Sequence, residues 1–173
     1  MALLPRLPWR DEKGRCRVVV ETPRGALVKL KFEPAADAFV LSHRLPRGVA
    51  YPYDWGFIPG TRAADGDPLD AMVLHDAPTW PGVVVPSIPI GVVRVVQGDG
   101  RRTTTRNDRV IAVAADEPMW DDVAALPKRV RDELAAFFVT VGRQSHARVV
   151  VEGWRGPQAA RTAIERAAQA GPA

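Results

Sequence analysis

The residues best suited to chemistry lie in one hexapeptide, Asp65-Gly66-Asp67-Pro68-Leu69-Asp70. It sets three carboxylates beside a glycine and a proline. In extended chain Asp65 and Asp67 project to the same side. Gly66 permits a tight turn, and Pro68 stiffens the exit. Asp70 then opens the apolar run Ala71-Met72-Val73-Leu74, the pattern of a buried strand. Carboxylates about 5 Å apart repel by roughly 3 kcal/mol per pair at an effective dielectric of about 20. A fold that gathers all three therefore needs cations among them, or a proton on one. Hard oxygen donors at this density suit Mg2+ or a similar ion. The stretch Asp65-Gly66-Asp67-Pro68 reads equally as a solvated turn, because both of its dipeptides are ordinary turn formers. A calcium loop is excluded, since Leu69 and Asp70 stand where a ligand and the obligatory glycine belong.

The elements around the hexapeptide must hold it in place. Residues 15–21 alternate as a strand, with Cys16, Val18 and Val20 on one face and Arg17, Val19 and Glu21 on the other. Pro23-Arg24-Gly25 is a turn. A cleaner strand spans 26–32, with Val28, Leu30 and Phe32 opposite Lys29 and Lys31. Those two lysines form either a solvated face or a phosphate clamp. A third strand is expected over 37–42, followed by a turn through Pro46, Arg47 and Gly48. The aromatic segment 51–58 is too rich in Pro and Gly for a helix, so its rings wall a pocket or pack on the sheet. Pro86 and Pro89 interrupt the β-branched stretch 82–97 and imply edge positions or bulges. Gly98-Asp99-Gly100 marks a hairpin turn, 101–106 a polar loop, and 110–113 a strand.

Pro127 suits the first turn of a helix. Val130, Leu134, Phe137, Phe138 and Val141 follow at helical spacing as one apolar stripe. Residues 147–152 form a last strand, and Gly156-Pro157 opens a terminal helix with Ala160, Ile164 and Ala168 on one face. Many short strands before two late helices, without βαβ alternation, predict a mainly-β α+β fold: a small barrel flanked by two helices.

The chain has 173 residues, 46% of them apolar and 25% charged, which predicts a single domain over 1–173 with 1–14 as an irregular arm. No apolar run approaches the roughly 18 residues of a membrane span. Residues 1–5 are too short and proline-interrupted for a secretory signal. Cys16 is the sole cysteine, so no internal disulfide forms, which fits the cytoplasm. His43, His75 and His146 share no metal-ligand spacing, which argues against zinc. The net charge of +4 favours anionic partners. The arginine excess is dispersed, and the one basic loop, 101–106, is short, so nucleic acid is not the expected partner.

Taken in order, Tyr51-Pro52, Gly56-Phe57-Ile58-Pro59-Gly60 and the acidic hexapeptide resemble the soluble inorganic pyrophosphatases of family I. Glu21 before Lys29, the pair Phe137-Phe138 and Val151-Glu152-Gly153-Trp154 extend the resemblance over nearly the whole chain. It implies a five-stranded barrel related to the OB-fold, Mg2+ as cofactor, pyrophosphate as small-molecule substrate, and a homo-hexamer. It implies Asp65 and Asp70 as metal ligands and Asp67 as the base beside the attacking water. Glu21, Tyr51 and Lys29 match further active-site positions, with Lys29 on a substrate phosphate.

The rim departs from the family pattern. Lys31 replaces a glutamate, Trp55 a substrate-binding tyrosine, and Gln97 a metal-binding aspartate. The family arginine falls at His43 or Arg44, and charge favours Arg44. An Asp-x-Lys pattern reads Asn107-Asp108-Arg109, where Arg109 keeps the cation and the third metal ligand becomes Asn107 or Asp108, with Asp108 the carboxylate of the two. A late Tyr-Lys pair is Val141-Gly142, with Arg143 as a partial substitute. Hydrolysis of pyrophosphate is the leading expectation. The alternatives are a hydrolase of polyphosphate or a nucleotide, and a non-catalytic barrel binding phosphate or nucleic acid.

Overall fold

The computed structural model describes residues 3–99 and 104–172. Alternation along the first strand, β1 (Cys16–Thr22), sends Val18 and Val20 into one apolar cluster and Val19 into another. Glu21, on the Val19 face, lines a cavity. β2 (Val28–Glu33) and β3 (Ala38–Arg44) form an antiparallel hairpin of their own. β4 (Asp54–Ile58), β5 (Leu69–Leu74), β6 (Val84–Gly98), β7 (Thr104–Arg106), β8 (Arg109–Ala114) and β9 (Arg148–Arg155) complete the strands described. The helices are α1 (Lys128–Gly142) and α2 (Pro157–Gln169).

Five strands close a ring in the order β1-β4-β5-β8-β6, which returns to β1. The expected mainly-β, OB-like fold with two helices is therefore present. Closure depends on the 15-residue β6, whose first part pairs with β1 and whose second part carries β7 and β9. Pro86 lies beyond the last β6–β8 pairing, and the register shifts between Pro89 and Gly91. Pro89 thus marks a bulge, where a missing N–H is tolerated, whereas Pro86 is no edge position: it pairs with Arg17 of β1 and its carbonyl accepts the Ala115 N–H at 2.9 Å.

As expected, the aromatic segment is not helical and Tyr51, Trp55 and Phe57 wall a cavity; its Asp54–Ile58 part is a fully buried strand, β4, where Gly56 admits β1. A Cβ at Gly56 would lie 1.9 Å from the Val19 carbonyl oxygen. The last strand runs on to Arg155, beyond the expected end. Ala167, not Ala168, joins Ala160 and Ile164 in the core of α2, since i+7 returns closer to the face than i+8. The expected hairpin turn at 98–100 and loop at 101–106 fall partly outside the described residues. Thr104–Arg106 is strand, not loop.

The ring has two packed faces. On β5, Met72 and Leu74 meet Leu134, Phe137 and Phe138 of α1, while Ala71 and Val73 share a cluster with Ala160 and Ile164 of α2. Each large side chain so buried contributes about 1.5–3 kcal/mol. Pro127 caps α1 from outside the helix instead of occupying its first turn. Among the described residues no helix is long and apolar enough to cross a membrane.

Candidate active site

A cavity of about 570 Å³ opens between the β2–β3 hairpin, the acidic loop and the C-terminal end of α1. Asp65 and Asp67 sit in a turn instead of extended chain, with Gly66 at φ 92°. That left-handed conformation is the reason for glycine at this point. The Asp67 N–H donates to Asp65 Oδ1 at 3.2 Å, and the Ala63 N–H donates to the Asp67 carbonyl at 2.8 Å. Both carboxylates nevertheless face the same cavity. The loop is fixed from below by Thr61, which has no exposed surface. Its hydroxyl donates to the Ile58 carbonyl at 2.5 Å and accepts the Leu69 N–H at 3.0 Å. Thr61 is a positioning residue that no motif announced.

Asp70 enters from β5, half-buried, with Arg109 Nη1 3.2 Å from its Oδ2. Burial pushes its pKa up, against the pull of Arg109 and Lys29, and Asp65 and Asp67 push the same way. Glu21 is only 7% exposed, and its Oε1 accepts the Phe32 N–H at 2.7 Å. Burial lifts its pKa to about 7, assisted by the charge of Asp70. Tyr51 is buried between Trp55 and the edge of Phe137, with ring centroids 6.4 and 5.0 Å away. Burial, then the charges of Asp70 and Glu21, drives its phenol pKa up, so Tyr51 stays a donor at neutral pH.

Lys29 and Lys31 both line the cavity, as alternation along β2 requires. Lys31 Nζ donates to Asp67 Oδ2 at 3.1 Å. Arg109 holds its guanidinium 5.5 Å from the Trp55 ring centre and donates to the Asn107 carbonyl at 2.6 Å.

Two expected site residues are not brought to this cavity. Arg44 is exposed and absent from its wall, where His43 stands instead. The pairing jumps from Lys29↔His43 to Leu30↔Leu41, a bulge that decides which residue faces Lys29. Asp108 also faces elsewhere. Its carboxylate accepts Arg106 Nε at 3.0 Å and the Val95 N–H at 3.3 Å. Asn107 lines the cavity in its place and donates Nδ2 to Asp65 Oδ2 at 2.9 Å. Gln97, Val141 and Gly142 line the wall as expected of the altered rim, but Arg143 does not, and Ser145 and His146 complete that end.

A buried carboxylate outside the cavity also escaped the sequence reading. Asp54, fully buried, accepts the Arg24 N–H at 2.7 Å and the Thr79 hydroxyl at 2.6 Å, and lies 2.9 Å from His75 Nε2. Burial would raise its pKa, but these partners outweigh it and hold the group low. It ties the 23–25 turn to the start of β4.

The family model for inorganic pyrophosphatase matches residues 18–171. The chain belongs to the inorganic pyrophosphatase family. A Synechocystis inorganic pyrophosphatase is 34% identical over 165 residues, covering 94% of this chain and 95% of the relative. The crystal structure of inorganic pyrophosphatase from Thermus thermophilus superposes with a TM-score of 0.87 at 34% identity, covering 98% of each chain. The Helicobacter pylori inorganic pyrophosphatase structure gives 0.84 at 26% identity, covering 95% and 97%.

Pyrophosphatases of this family are metal-dependent enzymes, and the donor set here fits a hard divalent cation. Glu21, Asp65, Asp67 and Asp70 line one cavity, and burial disfavours the charged forms of Glu21 and Asp70, which an added cation would favour. Among the described residues no three of His, Cys, Asp and Glu are grouped to grip an ion as placed. The three loop acids are closed instead on Asn107, Lys31 and Arg109.

Proposed function

We propose that this chain hydrolyses inorganic pyrophosphate to two phosphates, with Mg2+ held by Asp65 and Asp70 and with water as the nucleophile. The observation that carries the reading is the convergence of three loop acids with Lys29, Lys31 and Arg109 on one cavity, in a member of this family. Bound Mg2+ would offset the substrate's charge and acidify a bound water toward neutral pH. Asp67 accepts the proton of the attacking water. Lys29 and Arg109 hold phosphate oxygens and stabilise the charge of the departing phosphate. Tyr51 donates its phenolic hydrogen, and Glu21, deep in the wall, adds negative charge as it ionises. Cys16 is buried in the cluster packed on α2 and does not line the cavity, so it is no candidate nucleophile. Arg44 and Asp108 take no part in this scheme.

The same reading places the protein in the cytoplasm as a single domain with an N-terminal arm, acting as a homo-hexamer. Assembly would cover exposed apolar side chains such as Trp80, Leu27 and Leu41. A preference for a longer phosphoanhydride is a second reading, favoured by Val141 and Gly142 at the α1 end of the cavity. Phosphate release from pyrophosphate, tripolyphosphate and ATP, each with Mg2+ and with chelator, separates the two. The proposal expects pyrophosphate to be fastest and chelator to stop release. A faster rate on tripolyphosphate or ATP selects the second reading, and no release from any of them rejects both.

A further inference from the structure

A second cavity, of about 360 Å³, lies between residues 9–16 and the start of α2 and shares no residue with the first. Arg10, Lys13, Arg15 and Arg161 line it, and among the described residues no carboxylate does. Two of these cations are matched by acids outside the wall. Arg15 Nε lies 2.7 Å from Asp11 Oδ2, and Arg10 Nη2 lies 4.0 Å from Glu165 Oε1. Lys13 and Arg161, both exposed, form no ion pair among the described residues. Cations gathered at one cavity repel one another, and a bound anion relieves that repulsion. Trp9, Ile88, Pro89 and Pro157 supply an apolar wall beside them. The Arg10 guanidinium is stacked over the Trp9 ring, 4.2 Å from its centre. A planar base stacks readily on an indole or on a guanidinium.

The segment that carries Trp9 and Lys13 is held by its own backbone. Arg17 donates Nη1 to the Pro8 and Arg10 carbonyls at 2.9 and 2.8 Å, and its N–H donates to the Trp9 carbonyl at 2.8 Å. The cavity is therefore shaped before any ligand arrives, which lowers the ordering cost of binding. Inorganic phosphate or polyphosphate would engage the cations and leave the flat apolar wall unused. A nucleotide engages both. We propose that this cavity is a second ligand site that binds a nucleoside polyphosphate, with the phosphates on Lys13 and Arg161 and the base against Trp9.

The test is calorimetry with ATP in chelator, where no divalent ion is present to support turnover. One ATP should bind per chain. Tripolyphosphate should bind about tenfold more weakly, the loss of one base from an aromatic platform. Lys13→Ala and Arg161→Gln should each weaken ATP binding about tenfold, the size of one charge-assisted hydrogen bond. Both side chains are exposed, so each variant should keep the wild-type melting midpoint. Lys29→Ala, in the other cavity, should leave ATP affinity unchanged. No binding at millimolar ATP overturns the proposal, as does wild-type affinity in either Lys13→Ala or Arg161→Gln. Tripolyphosphate binding as tightly as ATP overturns the role of the base. Loss of ATP binding in Lys29→Ala would put the nucleotide in the acidic cavity and overturn the second site. None of these readouts depends on hydrolysis of pyrophosphate.

Discussion

Glu21→Gln isolates what burial does to one carboxyl of the cavity. Glu21 is 7% exposed and accepts the Phe32 N–H at 2.7 Å, a bond that a glutamine oxygen also accepts. Burial, with Asp70 acting in the same direction, lifts its pKa from 4.5 in the unfolded chain to about 7 in the fold. A raised folded pKa contributes stability that is fully present below pH 4.5 and is lost as pH climbs through 7. Between those values the native state keeps a proton that the unfolded chain has released. At about 1.4 kcal/mol per pH unit the loss reaches about 3 kcal/mol. The glutamine is neutral throughout and escapes it. Urea unfolding of both proteins in chelator, from pH 4.5 to 8.5, should show curves that coincide in acid. They should diverge by about 3 kcal/mol in favour of the glutamine at pH 8. A difference that is constant across this range would refute the claim that burial lifts the Glu21 carboxyl toward neutrality.

Asp67→Asn should lower turnover of pyrophosphate by roughly 10²–10⁴-fold, the usual worth of a general base, with an unchanged melting midpoint because the side chain is exposed. Wild-type rates in that variant would assign the base elsewhere. Lys29→Ala should raise KM for pyrophosphate while leaving unfolding unaffected, and an unchanged KM would remove it from the substrate. Gly56→Ala puts a Cβ 1.9 Å from the Val19 carbonyl oxygen and 2.9 Å from Val20 Cα, both backbone atoms. It should cost at least about 3 kcal/mol in urea unfolding. A loss under about 1 kcal/mol would show that β1 and β4 can separate freely.

The acidic loop was legible because its chemistry is local: turn residues, a glycine at positive φ and a strand start directly after Pro68. Lys29 and Lys31 followed from the two-residue period of a strand. The same period would also have found Asn107. Arg109 was already placed in the site, and its neighbour two residues back shares its face, whereas Asp108 points the other way. Preference for a carboxylate overrode that geometry. Arg44 failed for a reason no local pattern carries, since a bulge opposite Lys29 sets which residue of β3 faces the cavity. Asp54 was missed because its partners Arg24, His75 and Thr79 lie 21–30 residues away in sequence, and Thr61 because a hydroxyl bridging Ile58 and Leu69 belongs to no motif. A buried acid or hydroxyl advertises itself only once the fold has supplied its donors.

The central claim is that the acids of residues 65–70 hold the divalent ion. Its most direct test is an anomalous difference map from crystals soaked in Mn2+, a divalent ion that takes oxygen ligands as Mg2+ does. A peak bounded by Asp65 and Asp70, with both side chains released from Asn107 and Arg109, is the predicted result. A cavity with no peak, its acids still closed on those nitrogen partners at saturating Mn2+, would contradict it.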